Sequence, residues 1–135
     1  PNRKYRWLSS RGLPNGTRSY SWVHVTGGRS RKRAFLTEGP LKGDVASYLA
    51  KDALFICIGG VNALNGLTDT IRELGVHEVV EAMDMDQMTN SNVRNAVFAM
   101  RKEVRKLPGI RYSKYSWNPA YKGVDDYLLS RVATM

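Results

Sequence analysis

The stretch Ala34-Phe35-Leu36-Thr37-Glu38-Gly39-Pro40-Leu41 decides the fold of this 135-residue chain. Residues 34–37 form an apolar run too short for a helix and bounded by Gly and Pro, which reads as a buried strand. Pro40 suits the first position of a helix, where its missing N–H costs nothing. The helix it opens runs to about Lys51, with Leu41, Val45, Tyr48 and Leu49 on one face. A strand that turns directly into a helix begins a β-α-β unit. Glu38 then stands at the C-terminal tip of the strand, where open α/β sheets place their chemistry.

Working outward, the same rhythm repeats. Leu54 to Ile58 is continuously apolar, as a strand covered on both faces should be. Gly59-Gly60 breaks it, and a helix from about Asn65 to Leu74 ends at a capping Gly75. His77 to Met83 reads as a third strand running into Asp84-Met85-Asp86. Asn90 or Ser91 can cap the next helix. It repeats apolar residues at Val93, Val97, Met100, Val104 and Leu107, with Arg94, Arg101 and Arg105 on another face. Pro108-Gly109 stops it, Ile110 to Trp117 reads as a fourth strand, and Val124 to about Val132 as a closing helix. This order predicts an α/β fold: a mostly parallel four-stranded sheet flanked by helices, spanning residues 33–135.

Residues 1–32 form a basic N-terminal arm with a turn at Leu13-Pro14-Asn15-Gly16. Trp22-Val23-His24-Val25 alternates weakly, and Gly27-Gly28-Arg29-Ser30 can fold it as a hairpin onto the strand of Phe35. The charge of +9 is concentrated in this region. Arg3, Lys4, Arg6, Arg11, Arg18, Arg29, Arg31, Lys32 and Arg33 meet no acidic residue before Ala34, while the remaining chain is neutral. A basic arm interleaved with Tyr5, Trp7, Tyr20 and Trp22 points to a polyanionic partner, DNA or RNA, whose bases could stack on the aromatics. A solvated arm whose aromatics pack on the sheet is the plainer alternative.

The single Cys57 lies in the apolar run and reads as a core residue, which fits a reducing cytoplasm. His24, His77 and Cys57 lack zinc-ligand spacing. No stretch approaches a membrane span and no signal peptide is visible. The chain opens at Pro1, so it reads as a piece of a longer protein with further domains.

Asp84 and Asp86 alternate along an extended segment and can point the same way. Two carboxylates at a strand end suit Mg²⁺ (or Mn²⁺), which takes one or two protein carboxylates and completes its shell with water and phosphate oxygens. Glu38, from another strand tip, is a third ligand or a general acid/base. Three converging carboxylates with no lysine between them would repel one another unless a cation sat there. Polar strand ends also serve solubility and capping, and Asp125-Asp126 opens a helix whose dipole favours acids.

The pattern strand-Thr37-Glu38-Gly39, strand-Gly59-Gly60, strand-Asp84-Met85-Asp86 resembles the Toprim domain of primases, topoisomerases and related nucleases. Lys122-Gly123-Val124-Asp125-Asp126-Tyr127-Leu128 is similar to the Lys-Asp-Pro-Asp-Glu segment of bacterial primases. The Trp7-Leu8-Ser9-Ser10 opening and Thr37 to Asp44 resemble more closely an uncharacterised Toprim-like family of plasmid, phage and integrative-element replication proteins. The resemblance implies a Toprim-like (Rossmann-like) fold, Glu38 as catalytic acid/base, Asp84 and Asp86 as Mg²⁺ ligands and Asp125 as an auxiliary ligand. Arg29, Arg31, Lys32 and Arg33 of the arm, with Arg94, Arg101 and Arg105, would hold nucleic acid. Gly123 replaces the first aspartate of the primase-like segment, which argues against a second metal. The implied activity is primase-like transfer or strand cleavage in a mobile-element DNA replication protein. A non-catalytic nucleic-acid-binding module is the alternative. A nucleotide hydrolase fits less well, because Gly59-Gly60-Val61-Asn62 matches neither phosphate-loop pattern.

Overall fold

The computed structural model describes residues 12–16, 23–28, 32–59, 64, 66–84 and 90–133. Among the described residues five strands and four helices follow one another as β1 (His24–Thr26), β2 (Arg33–Glu38), α1 (Pro40–Leu49), β3 (Phe55–Ile58), α2 (Leu67–Leu74), β4 (Glu78–Glu81), α3 (Ser91–Arg105), β5 (Arg111–Lys114) and α4 (Val124–Ala133). They build one mixed sheet in the order β1-β3-β2-β4-β5. Strand β2 lies at its centre, parallel to β3 on one side and β4 on the other, and β5 continues parallel to β4.

The sheet has five strands rather than the four read from the sequence. The extra one, β1, comes from within residues 1–32 and pairs antiparallel with β3, His24 opposite Cys57 and Thr26 opposite Phe55. It does not form the expected hairpin with β2, whose two edges are already taken by β3 and β4. β1 is also tied to α1, where His24 Nε2 lies 2.8 Å from Asp44 Oδ1. The expected turn at Leu13–Gly16 forms, with Gly16 N–H donating to Leu13 carbonyl at 2.8 Å and Asn15 at φ 58°.

Two apolar layers sandwich the sheet. On one face Leu67 and Ile71 of α2 and Val97, Met100 and Val104 of α3 pack on Ala34, Leu36, Ile56, Ile58 and Val79. On the other face α1 and α4 cover Phe55, Cys57 and Ala82 through Ala46 and Val124, with Trp117 closing the layer. Asn90 caps α3, its side chain accepting from the N–H groups of Asn92 and Val93. Gly75 ends α2 in the left-handed conformation expected of a glycine cap.

α1 meets the sheet through its small residues. Gly43, Ala46 and Ser47 are buried, whereas Leu41 and Tyr48 are more than three-quarters exposed. The apolar stripe read from the sequence therefore faces outward. The reason is proximity: a Cβ at Gly43 would lie 1.9 Å from Cys57 Sγ. Only glycine lets the helix come this close to β3, and that approach fixes where the first turn of α1 stands above the strand tips.

Candidate functional site

The chain leaves β2 toward β3 on one side, while the neighbouring β4 belongs to the part of the sheet that grows the other way. The direction of winding therefore reverses between β2 and β4, and the C-terminal ends of two such strands are the usual location of a ligand site in open α/β sheets. Glu38 ends β2. Asp84 follows β4 by three residues and is 4% exposed. Asp125 lies in the first turn of α4. Three of the four acidic positions singled out in the sequence thus come to one end of the sheet, and Asp86 lies outside the described residues.

The sequence reading assumed that no lysine stands among these carboxylates. Lys42 does. Its ammonium donates to Asp84 Oδ2 at 2.5 Å from the first turn of α1. Burial works against this charge, but the hydrogen bond and charge of Asp84, reinforced by Glu38 and Asp125, hold the Lys42 pKa above its ordinary value. Burial pushes the Asp125 carboxyl the other way, above the usual carboxylate range, with Asp126 adding to the effect. The repulsion argument for a cation is therefore weakened by a cation that the chain supplies itself.

Acceptor capacity for a second positive charge remains. Asp84 Oδ1 and Asp125 Oδ1 are buried and accept no hydrogen bond. Both lie close to Gly123: a Cβ built there would stand 2.4 Å from Asp125 Oδ1 and 3.4 Å from Asp84 Oδ1. Two buried, unsatisfied carboxylate oxygens beside one another suit a hard cation that takes one or two protein carboxylates. They do not make a three-carboxylate cage; among the described residues no three His, Cys, Asp or Glu side chains are grouped to hold a metal.

The basic residues divide between sites. Arg33 starts β2, about 16 Å along the strand from Glu38, and pairs there with Glu78 at 2.9 Å. Lys32 and Arg33 line a cavity of about 540 Å³ with Phe35, His77, Glu78 and Arg111, at the end of the sheet opposite the carboxylates. Arg29 and Arg31 lie outside the described residues. Arg94, Arg101 and Arg105 all lie on α3, which begins at the carboxylate end and runs back along the sheet. Arg94 is exposed. Arg105 sits over the Tyr112 ring, 5.3 Å from its centroid. Phe98, Lys102 and Lys106 continue this basic surface, which sequence reasoning had confined to the three arginines.

Arg101 is committed to the interior. It forms a two-pronged pair with the fully buried Glu81, Nε to Oε2 at 2.5 Å and a terminal nitrogen to Oε1 at 2.8 Å, while Tyr112 donates to Oε2 at 2.7 Å. Burial opposes ionisation of Glu81, yet these hydrogen bonds win and hold its carboxyl below the usual range. The same network pushes the Tyr112 hydroxyl strongly upward, through burial and the adjacent carboxylate.

Both residues that the sequence reading passed over had visible signals. Lys42 places a cation in the first turn of a helix, where the dipole disfavours it and a nearby anion is required. Glu81 stands between the apolar pairs Val79-Val80 and Ala82-Met83, and a buried acid needs a partner. No protein-family model matches the chain, and no curated protein matches it. Among the described residues no helix is long and apolar enough to cross a membrane.

Proposed function

We propose that this chain is a Mg²⁺-dependent domain of the Toprim type that acts on nucleic-acid phosphodiesters, by primase-like nucleotidyl transfer or strand cleavage. It would work in the cytoplasm as part of a longer mobile-element replication protein, which accords with the basic arm and the free buried Cys57. The observation that carries this reading is the pair of buried, unpartnered oxygens of Asp84 and Asp125 beside Gly123, at the end of the sheet where β2 and β4 finish.

Asp84 and Asp125 would hold the cation, joined by Asp86. Bound there, Mg²⁺ would neutralise phosphate charge and lower the pKa of a coordinated water. Glu38, on the adjoining strand tip, would take a proton from the nucleophile or return one to the leaving group. The positive end of the α1 dipole favours an anion beside it. Arg94, Lys102, Arg105 and Lys106 offer a basic path along α3 for the sugar-phosphate backbone, with the exposed Phe98 as a stacking surface.

The test is incubation of a labelled single-stranded oligonucleotide, with and without nucleoside triphosphates, in Mg²⁺, Mn²⁺ or chelator. Metal-dependent cleavage or extension is expected, lowered about a hundredfold or more in Glu38→Gln and lost in Asp84→Asn. The presence of Lys42 among the carboxylates favours one second reading, a nucleic-acid-binding module without catalysis. Binding that needs no metal, without turnover and undiminished in Asp84→Asn, would establish that reading instead.

A further inference from the structure

We propose that Lys42 is a displaceable counter-ion of this site: its ammonium holds Asp84 until a divalent cation takes its place, and the released ammonium then pairs with the substrate phosphate. This rests on the metal-dependent reading above and adds to it a residue that sets the affinity of the cation and couples it to the nucleic acid.

The geometry supplies each part. Asp84 offers one oxygen to Lys42 and keeps the other buried without a partner, so only half of its acceptor capacity is used. A carboxylate that is 4% exposed gains nothing from water, and a cation facing the unpartnered oxygen draws on the same charge that Lys42 neutralises. The two positive charges therefore compete across one carboxylate. Lys42 is free to yield: its side chain is about one-third exposed, on a four-carbon stem at the start of α1.

Displacement leaves the ammonium short of an anion. A phosphate held at the same end of the sheet restores one, so cation and nucleic acid should each strengthen the binding of the other. This coupling is reciprocal, as linkage requires.

The experiment is a calorimetric titration of Mn²⁺ into wild type, Lys42→Met and Asp84→Asn, each alone and with a short non-cleavable oligonucleotide. Lys42→Met is expected to bind Mn²⁺ about tenfold more tightly than wild type and to lose most of the enhancement by the oligonucleotide. Binding by Lys42→Met alone supports the same conclusion in its extreme form. Wild type and Lys42→Met binding equally, with Asp84→Asn silent, would overturn the role of Lys42 while leaving the metal site standing. Silence in all three, oligonucleotide present, would overturn both. A second readout needs no variant: the Lys42 side-chain resonances of wild type should move as Mn²⁺-free Mg²⁺ is added. Resonances that stay fixed through saturation of the Asp84-dependent site would also refute displacement.

Discussion

Gly43→Ala tests how α1 is seated, and its effect can be worked from the structure. The new methyl carbon would arrive 1.9 Å from Cys57 Sγ, far inside contact distance, so either the helix or β3 must move. Overpacking of this kind costs about 1–3 kcal/mol. Replacing an interior helical glycine by alanine returns about 1 kcal/mol through helix propensity. A contact as short as this belongs in the upper half of the overpacking range, so the net expectation is a loss of about 1–2 kcal/mol. Cys57→Ala alone should cost about 1 kcal/mol for the vacated sulfur volume. The double variant is different, because the methyl then occupies the space that the sulfur leaves. Its nearest remaining neighbours would be Cys57 Cβ at 3.3 Å and Thr37 Cγ2 at 3.7 Å, which small adjustments accommodate. Gly43→Ala/Cys57→Ala should therefore be close to wild type in stability, a favourable coupling of about 2 kcal/mol. Urea denaturation of the four proteins measures it. Additive losses, or a Gly43→Ala protein as stable as wild type, would refute the close seating of α1 on β3 and with it the placement of Lys42.

Glu81→Gln should cost about 3 kcal/mol, since it leaves a mostly buried guanidinium without its counter-charge; thermal or urea melts at pH 7 check this. The folded-state pKa of Glu81 lies below the ordinary 4.5, so its contribution is full above that value and is lost as pH falls through the depressed one. Acid titration of wild type should accordingly show a loss of stability that Glu81→Gln no longer shows. Cys57, whose thiol burial pushes up to about 12, should resist alkylation at pH 8 in the native protein and react at the rate of unfolding in urea; rapid native labelling would contradict its burial. Replacing Lys102, Arg105 and Lys106 with Ser should lower the slope of log affinity against log salt by about two to three for a nucleic-acid ligand, and an unchanged slope would exclude this face of α3 from the phosphate contacts.

The strand tips were legible in the sequence because parallel strands announce themselves as apolar runs and helix starts follow them. Pro40 and Asn90 marked two such starts correctly, and Val97, Met100 and Val104 of α3, with Leu107 just beyond it, are buried as their spacing predicted. What failed was spatial. Periodicity identified a stripe on α1 but not which side meets the sheet, because burial there follows from the absence of a side chain at Gly43 rather than from the presence of apolar ones. The fourth expected strand, Ile110 to Trp117, shortens to Arg111–Lys114, since among the described residues its one strand neighbour, β4, ends at Glu81, and the pairing finishes with the bond from Tyr115 N–H to Glu81 carbonyl. Trp117 turns into the core instead and donates its indole N–H to Tyr121 carbonyl at 2.8 Å. The convergence of Glu38, Asp84 and Asp125 followed from their places at element ends. Lys42 did not, because a residue from the helix side enters the site only through the helix's tilt and distance from the sheet.

The antiparallel pairing of β1 with β3 has a consequence for handling as well as for architecture. Every residue of β3 is buried, and its outer edge is covered by His24–Thr26 alone of the strands. A protein begun at Arg33, the natural cut for anyone isolating the α/β body, would bare an apolar Phe-Ile-Cys-Ile edge with its backbone groups unpaired, a template for self-association. The basic arm, read first as a nucleic-acid grip, thus carries the segment that keeps the sheet from joining another copy of itself.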